Sequence, residues 1–282
     1  MNRLKHNFIL IMMVLFSSFI WLQMLIYMMH EIFNYNLVLG FLQYCVSAIQ
    51  EDKFLHQIVL IGLYGLIVYS FGMLFLRLIQ QIILVKKWSK KISEVCDYQM
   101  SSQINSIYPY CHNRIVVIKQ KGFLALTTGF IMPRIFISDT LVSQLSRGEL
   151  QAVLLHEYAH CKSYDPLRLL LIRLIKDSLP FVPVLKKVYH FLQVWMELLA
   201  DQYVVNRMKT PYDLASAILK CSKFVKSPAM SIGFADLEIN YRIKQLIEPH
   251  SKVRVPLLER RTVMISSGVF FLISMIVTSG CS

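Results

Sequence analysis

The stretch Gly148–Pro166, "GELQAVLLHEYAHCKSYDP", sets two histidines four residues apart, with a glutamate beside the first, directly after an apolar run. His156, Glu157 and His160 read as H-E-x-x-H. Just upstream, Ser146 stands three residues before Glu149, a capping-box signature, so the spacing predicts a helix that begins there and carries the motif. On a helix, positions four apart are separated by one turn plus about 40°, and both imidazoles point the same way. Two neutral imidazoles so placed can bind one zinc ion. Glu157, next to them, is positioned to take a proton from a water that the metal polarises and to return it to a leaving amine. Alone, the five-residue pattern also fits a helix whose His and Glu simply face water.

A third ligand strengthens the metal reading. "MELLAD", Met196–Asp201, supplies Glu197 and Asp201, again four apart on a helix-like segment. A carboxylate from Glu197 completes a His2Glu set with one position left for water. Asp201, one turn on, can accept the N–H of a ligand histidine and fix its tautomer. The plainer alternatives are a surface carboxylate for Glu197 and a salt bridge to Arg207 for Asp201. Asp165 precedes Pro166 and reads as a cap of the next helix. Cys161, about 100° round from His160, is expected to face elsewhere. His190 reads as structural, and the other histidines have no partner at ligand spacing.

Working outward, the 282 residues are 55% hydrophobic, with mean hydropathy +0.50 and a net charge of +13. That apolar content exceeds the usual soluble share and points to membrane. Uncharged Phe8–Met29 is about as long as a bilayer-spanning helix, and it is read as an uncleaved anchor because no small-residue cleavage site follows. A second apolar run from Ile58 ends at the basic "KKWSKK", Lys86–Lys91, and a third covers Val263–Val277. By the positive-inside rule, Arg3, Lys5, the Lys86–Lys91 cluster, Arg254, Arg260 and Arg261 lie on the cytoplasmic side, and the loop Glu31–Lys53 lies outside. The cationic surplus thus sits at membrane edges, which weakens a nucleic-acid reading. Six scattered cysteines without a C-x-x-C pair argue against a disulfide framework or a Cys-rich zinc module.

The domain organisation follows. Residues 1–87 hold two transmembrane helices, about 8–29 and 57–85. Residues 88–261 form a cytoplasmic zinc metallopeptidase domain, and 262–282 a C-terminal transmembrane helix. Inside the cytoplasmic block, Arg114–Gln120, Phe123–Gly129 and Pro133–Ser138 are short β-rich runs. The segment near 167–198 is apolar but punctuated by charges and by Pro180 and Pro183. It is too short for two crossings and fits an interfacial or re-entrant segment.

"GFIMPRIFIS…LVSQLSRGELQAVLLHEYAHCKSYDPL" followed by "ELLAD" resembles the BlaR/MecR antirepressor family of membrane metallopeptidases, and more distantly the HtpX and CAAX-endopeptidase type. The resemblance covers roughly Arg114–Arg207. It implies an α-helical membrane protein with a cytoplasmic α+β zincin-like (gluzincin) domain, one Zn2+ per chain on His156, His160 and Glu197, Glu157 as general base, and Asp201 behind a ligand. It also implies that an extended peptide adds to an edge strand above the zinc helix, expected at Leu124, Ala125, Leu126 and Thr127; an interior strand without substrate contact is the alternative. The β-lactam sensors carry an extracellular penicillin-binding domain and usually four spans. This sequence shows three spans and no S-x-x-K or K-T-G, so direct acylation by a β-lactam is not expected.

The expected function is a zinc-dependent, multi-pass cell-membrane endopeptidase acting at the cytoplasmic face. Its expected partners are the lipid bilayer and a protein or peptide substrate, such as a cytosolic transcriptional repressor. A homodimer is left open, and no direct nucleic-acid partner is expected. A non-catalytic zinc-binding regulator and a broad-specificity membrane quality-control protease are the alternatives. Tyr203, Arg207 and Arg242 are unranked candidates for stabilising an oxyanion.

Overall fold

The computed structural model describes residues 3–33, 53–224, 234–248 and 259–279. The loop expected outside the membrane and Arg254 lie largely or wholly outside these residues. The described elements are α1 (Arg3–Phe33), α2 (Lys53–Val95), β1 (Cys96–Asp97), α3 (Tyr98–Ile107), β2 (Ile115–Ile118), β3 (Ala125–Thr128) and β4 (Arg134–Ser138). They continue with α4 (Asp139–Gln144), α5 (Arg147–Ser163), α6 (Asp165–Ser178), α7 (Pro183–Met208), α8 (Tyr212–Phe224), α9 (Phe234–Ile247) and α10 (Arg260–Ser279).

The chain divides into two units, residues 1–81, 172–191 and 256–282 against residues 82–171 and 192–255. The first is helical. Two helices are long and apolar enough to cross a bilayer among the described residues, His6–Ile26 and, continuing out of this unit, Tyr64–Ile92. α10 occupies the position of the expected third span. It packs on α1 through Phe270, whose ring lies 5.4 Å from that of Phe16, and through a hydrogen bond from Gln23 to Ser274. The segment near 167–198 forms all but the first two residues of α6 and the first part of α7, through residue 198, separated by Leu179–Val182, where Pro183 opens the second helix. Arg77 of α2 contacts Asp177 at 3.0 Å.

The second unit is an α+β fold. Its four-stranded sheet runs β1-β2-β4-β3, with β2 and β4 parallel and the outer pairs antiparallel. Alternation sends Ile115, Val117, Ile135 and Ile137 to one face, where they are buried with Leu141, Leu150, Val153 and Leu154 in the main core. α5 lies across this face, and most of its side chains are buried. The expected capping box starts it: Glu149 N–H donates to Ser146 Oγ, and Ser146 N–H donates to the Glu149 carboxylate at 2.8 Å. Ser216 and Lys220 of α8 hold the same carboxylate at 2.5 and 2.7 Å, which fixes α8 beside α5.

β3 is an edge strand. Ser138 N–H donates to Leu124 O at 2.9 Å, and antiparallel register pairs Leu126 with Phe136 and Thr128 with Arg134. By the ladder's alternation, Ala125 and Thr127 turn their own N–H and C=O groups away from β4, to the open edge. Ser138 Oγ ties down the entry to this strand, donating to Gly122 O and accepting from the N–H groups of Leu124 and Leu141.

Candidate active site

Six helices, α4 to α9, and one strand converge on a cleft of about 480 Å³ in the second unit. α5 supplies His156, Glu157 and His160, with the first two buried. α7 supplies Glu197 and the fully buried Asp201. Asp165 begins α6, Arg242 comes from α9, and Ala125–Thr127 of β3 form part of the wall. Leu124, the first residue expected in the edge strand, precedes β3 and bonds Ser138 instead of lining the cleft.

The ring nitrogens meet at one point. His156 Nε2 lies 3.1 Å from His160 Nε2, 3.3 Å from Glu197 Oε2, and His160 Nε2 is 3.5 Å from Glu197 Oε1. The opposite ring nitrogens are held by carboxylates: His156 Nδ1 is 2.9 Å from Asp201 Oδ1, and His160 Nδ1 is 2.8 Å from Asp165 Oδ2. Each Nδ1 thus has a carboxylate partner, and both Nε2 atoms face the same space.

This arrangement fits a metal ion. Tetrahedral zinc, with bonds of roughly 2.0–2.1 Å, requires donor atoms about 3.3 Å apart, which the three separations bracket. Four carboxylates (Glu157, Asp165, Glu197 and Asp201) are met by two guanidinium groups, Arg242 on Glu197 and Asp201 and Arg168 at 3.7 Å from Asp165, leaving negative charge that a divalent cation would offset. The same field acts on the side chains. Burial and Arg242 lower the His156 pKa, but Asp201 and Glu197 outweigh them and hold it up at about 9. Burial would raise the Glu197 pKa, yet the two histidines and Arg242 hold it well below the usual carboxylate range.

Glu157 is held from the strand side. Thr127 Oγ1 lies 2.7 Å from its Oε2 and 2.9 Å from its backbone carbonyl, so the single hydroxyl proton goes to one of them. Arg242 reaches the site from far along the chain. Its Nε and one terminal nitrogen each donate to Asp201 at 2.8 Å, and the other terminal nitrogen is 3.1 Å from Glu197.

Two assignments change. Asp165, read from sequence as a helix cap, turns its carboxylate onto His160. Tyr164, the C-cap of α5, adopts a left-handed backbone (φ 54°), and this tight turn brings the next residue back to the helix it has just left. Arg242, one of three oxyanion candidates, engages the two α7 carboxylates. Tyr203 stands outside the cleft, its ring 6.4 Å from that of Tyr158 with Lys162 above it, and Arg207 is likewise not among the lining residues. Asp201 meets His156 as expected, and the guanidinium beside it is Arg242, not the Arg207 of the plainer alternative. A carboxylate five residues after the second histidine of the motif was a visible signal for Asp165; nothing local marked Arg242.

A search of curated proteins found no match to this chain. The profile of a peptidase family, BlaR1 peptidase M56, matches residues 28–246, a span that contains every residue of the cleft described above. With that match over more than half of its length, the chain belongs to the M56 family of BlaR1-type peptidases.

Proposed function

We propose that the chain is a zinc-dependent integral-membrane endopeptidase that cleaves a protein substrate at the cytoplasmic face, with a transcriptional repressor of a signalling pathway as the favoured substrate. The observation that carries this reading is the convergence of His156 Nε2, His160 Nε2 and Glu197 on one point, with Glu157 alongside. The three ligand atoms lie within 4.8 Å of one another. The membrane placement rests on the family and on the two span-length helices. Their outward faces carry Phe8, Leu15, Val68 and Phe75 largely exposed, as an apolar surrounding medium requires.

His156, His160 and Glu197 would hold the ion, which when bound lowers the pKa of water and polarises a carbonyl. The other steps belong to the chain. Glu157 removes a proton from the attacking water and delivers it to the amine as the peptide bond breaks. Thr127 keeps that carboxylate aimed into the cleft, while Asp201 and Asp165 keep both imidazoles in the ligating tautomer. The free edge of β3 offers the N–H and C=O groups of Ala125 and Thr127, and an extended substrate paired there would run past Glu157. Apolar side chains of Leu169, Leu214, Ile218 and Ile239 line the same cleft and suit an apolar substrate side chain. A non-catalytic regulator would have no use for Glu157 held in this way.

The test is zinc content and proteolysis of the detergent-solubilised protein beside Glu157→Gln. Both proteins should bind about one zinc per chain, and only the wild type should cut itself or an unstructured protein substrate. Loss of zinc from both would remove the basis of the ligand assignment.

A further inference from the structure

On the face of the sheet away from α5 lies a second cavity, of about 540 Å³. Val85, Trp88 and Ile92 of α2 form one wall, and Val116, Met132 and Phe136 of the sheet and its β3–β4 turn form the other. The turn itself projects outward. Gly129 makes it tight, with φ 107° and no room for a Cβ, which would meet Met132 O at 2.8 Å. At its tip Ile131 and Met132 are 82% and 79% exposed, and Trp88 is 42% exposed. Two adjacent large aliphatic side chains so fully offered to solvent, over an apolar groove, mark a surface that meets something apolar.

The surrounding charge identifies the partner. Lys86, Lys87, Lys90 and Lys91 are exposed on the same stretch of α2, and Arg134 is exposed at the foot of the turn. No acidic side chain lines the groove, and Glu94 lies past the lysines along the helix. α2 enters this unit directly from the span-length apolar helix Tyr64–Ile92. An apolar tip, an interfacial tryptophan and a cluster of lysines on the neighbouring side of the same helix, itself the continuation of a span-length apolar segment, match the chemistry of an anionic bilayer surface.

We propose that the β3–β4 turn, with the groove under it and the lysines of α2, is a second membrane contact that inserts Ile131 and Met132 among anionic lipids. This rests on the membrane reading above. It has a consequence for substrate. Thr127, which touches Glu157, is four residues from Ile131, so at roughly 3.3 Å per residue the cleft lies within about 15 Å of the lipid surface. β3 would then present its free edge to peptide segments held close to a membrane, so that a substrate, the repressor included, is cut where it is recruited to the bilayer surface.

The experiment places an environment-sensitive bimane label at Ile131→Cys in the full chain, reconstituted in vesicles containing nitroxide-bearing lipids. Parallel samples carry the label at Val68→Cys on the span and at Gln202→Cys, exposed on α7. Each is read as the difference from wild type treated identically, to remove the native cysteines. The expected result is loss of fluorescence at positions 131 and 68 but not 202. The loss at 131 should be stronger in vesicles of phosphatidylglycerol and phosphatidylcholine in equal parts than in phosphatidylcholine alone. Quenching at 68 without quenching at 131 overturns the proposal and leaves the membrane reading standing. Absence of quenching at both overturns the membrane reading and this contact with it. Equal quenching at 131 in the two lipid compositions overturns the anionic preference.

Discussion

The Nδ1 of His160 lies 2.8 Å from Oδ2 of Asp165, across a turn made by a left-handed Tyr164. The ring is therefore oriented by the residue that opens the next helix, which leaves its Nε2 facing His156 and Glu197. Asp165→Ala should lower zinc affinity about 10–100-fold while the fold persists, the usual cost of removing a carboxylate behind a metal-bound histidine. Competition with a chelator of known affinity measures it. An unchanged affinity would mean that Asp165 serves only α6.

Arg242 is the counter-ion of two buried carboxylates. Replacing it with Met leaves Asp201, which has no solvent exposure, without its bidentate partner. Breaking a buried pair from one side costs about 3–5 kcal/mol. Thermal unfolding in detergent should show that loss. Arg242→Lys should recover only part of it, because a single ammonium cannot span both Asp201 oxygens and Glu197.

Thr127 gives a milder and more selective effect. Thr127→Val keeps the strand's shape but removes the hydroxyl beside Glu157 Oε2. Cleavage should fall about 10-fold, the scale of one hydrogen bond to a charged group, with zinc content unchanged. Equal activity in the two proteins would show that Glu157 needs no support from β3.

Glu149 links acidity to stability. Burial raises its pKa, but hydrogen bonds from Lys220, Ser216 and the Ser146 N–H outweigh that and hold it at about 2, below its ordinary 4.5. A carboxyl depressed on folding adds stability above the unfolded value, and that contribution is lost as pH falls through about 2. The contact between α5 and α8 should therefore weaken from pH 4.5 downward. Glu149→Gln should be less stable at neutral pH and show a flatter acid limb in unfolding experiments between pH 5 and 2.

Much of the site was legible because its signals are local. The H-E-x-x-H pattern, the Ser146–Glu149 box and the four-residue spacing of Glu197 and Asp201 depend only on helical periodicity. Helices form over them where expected, and the three β-rich runs become β2, β3 and β4 with their ends trimmed by a few residues. Asp165 was misread because a cap and a ligand's partner look alike in sequence until the backbone angle of Tyr164 is known. Arg242 was visible only as one of three oxyanion candidates, since its partners lie 41 and 45 positions back on another helix.

The sequence by itself determined which residue types could ligate a metal and which helices would carry them, because side-chain chemistry and the 3.6-residue repeat act over a single turn. Tertiary structure alone decided that β3 ends at the edge of a β1-β2-β4-β3 sheet, with Thr127 on Glu157, and that α9 brings Arg242 to Asp201. Strand order and helix docking are set by burying Ile115, Ile135, Ile137 and Leu154 together, a collective result of packing among segments distant in the chain.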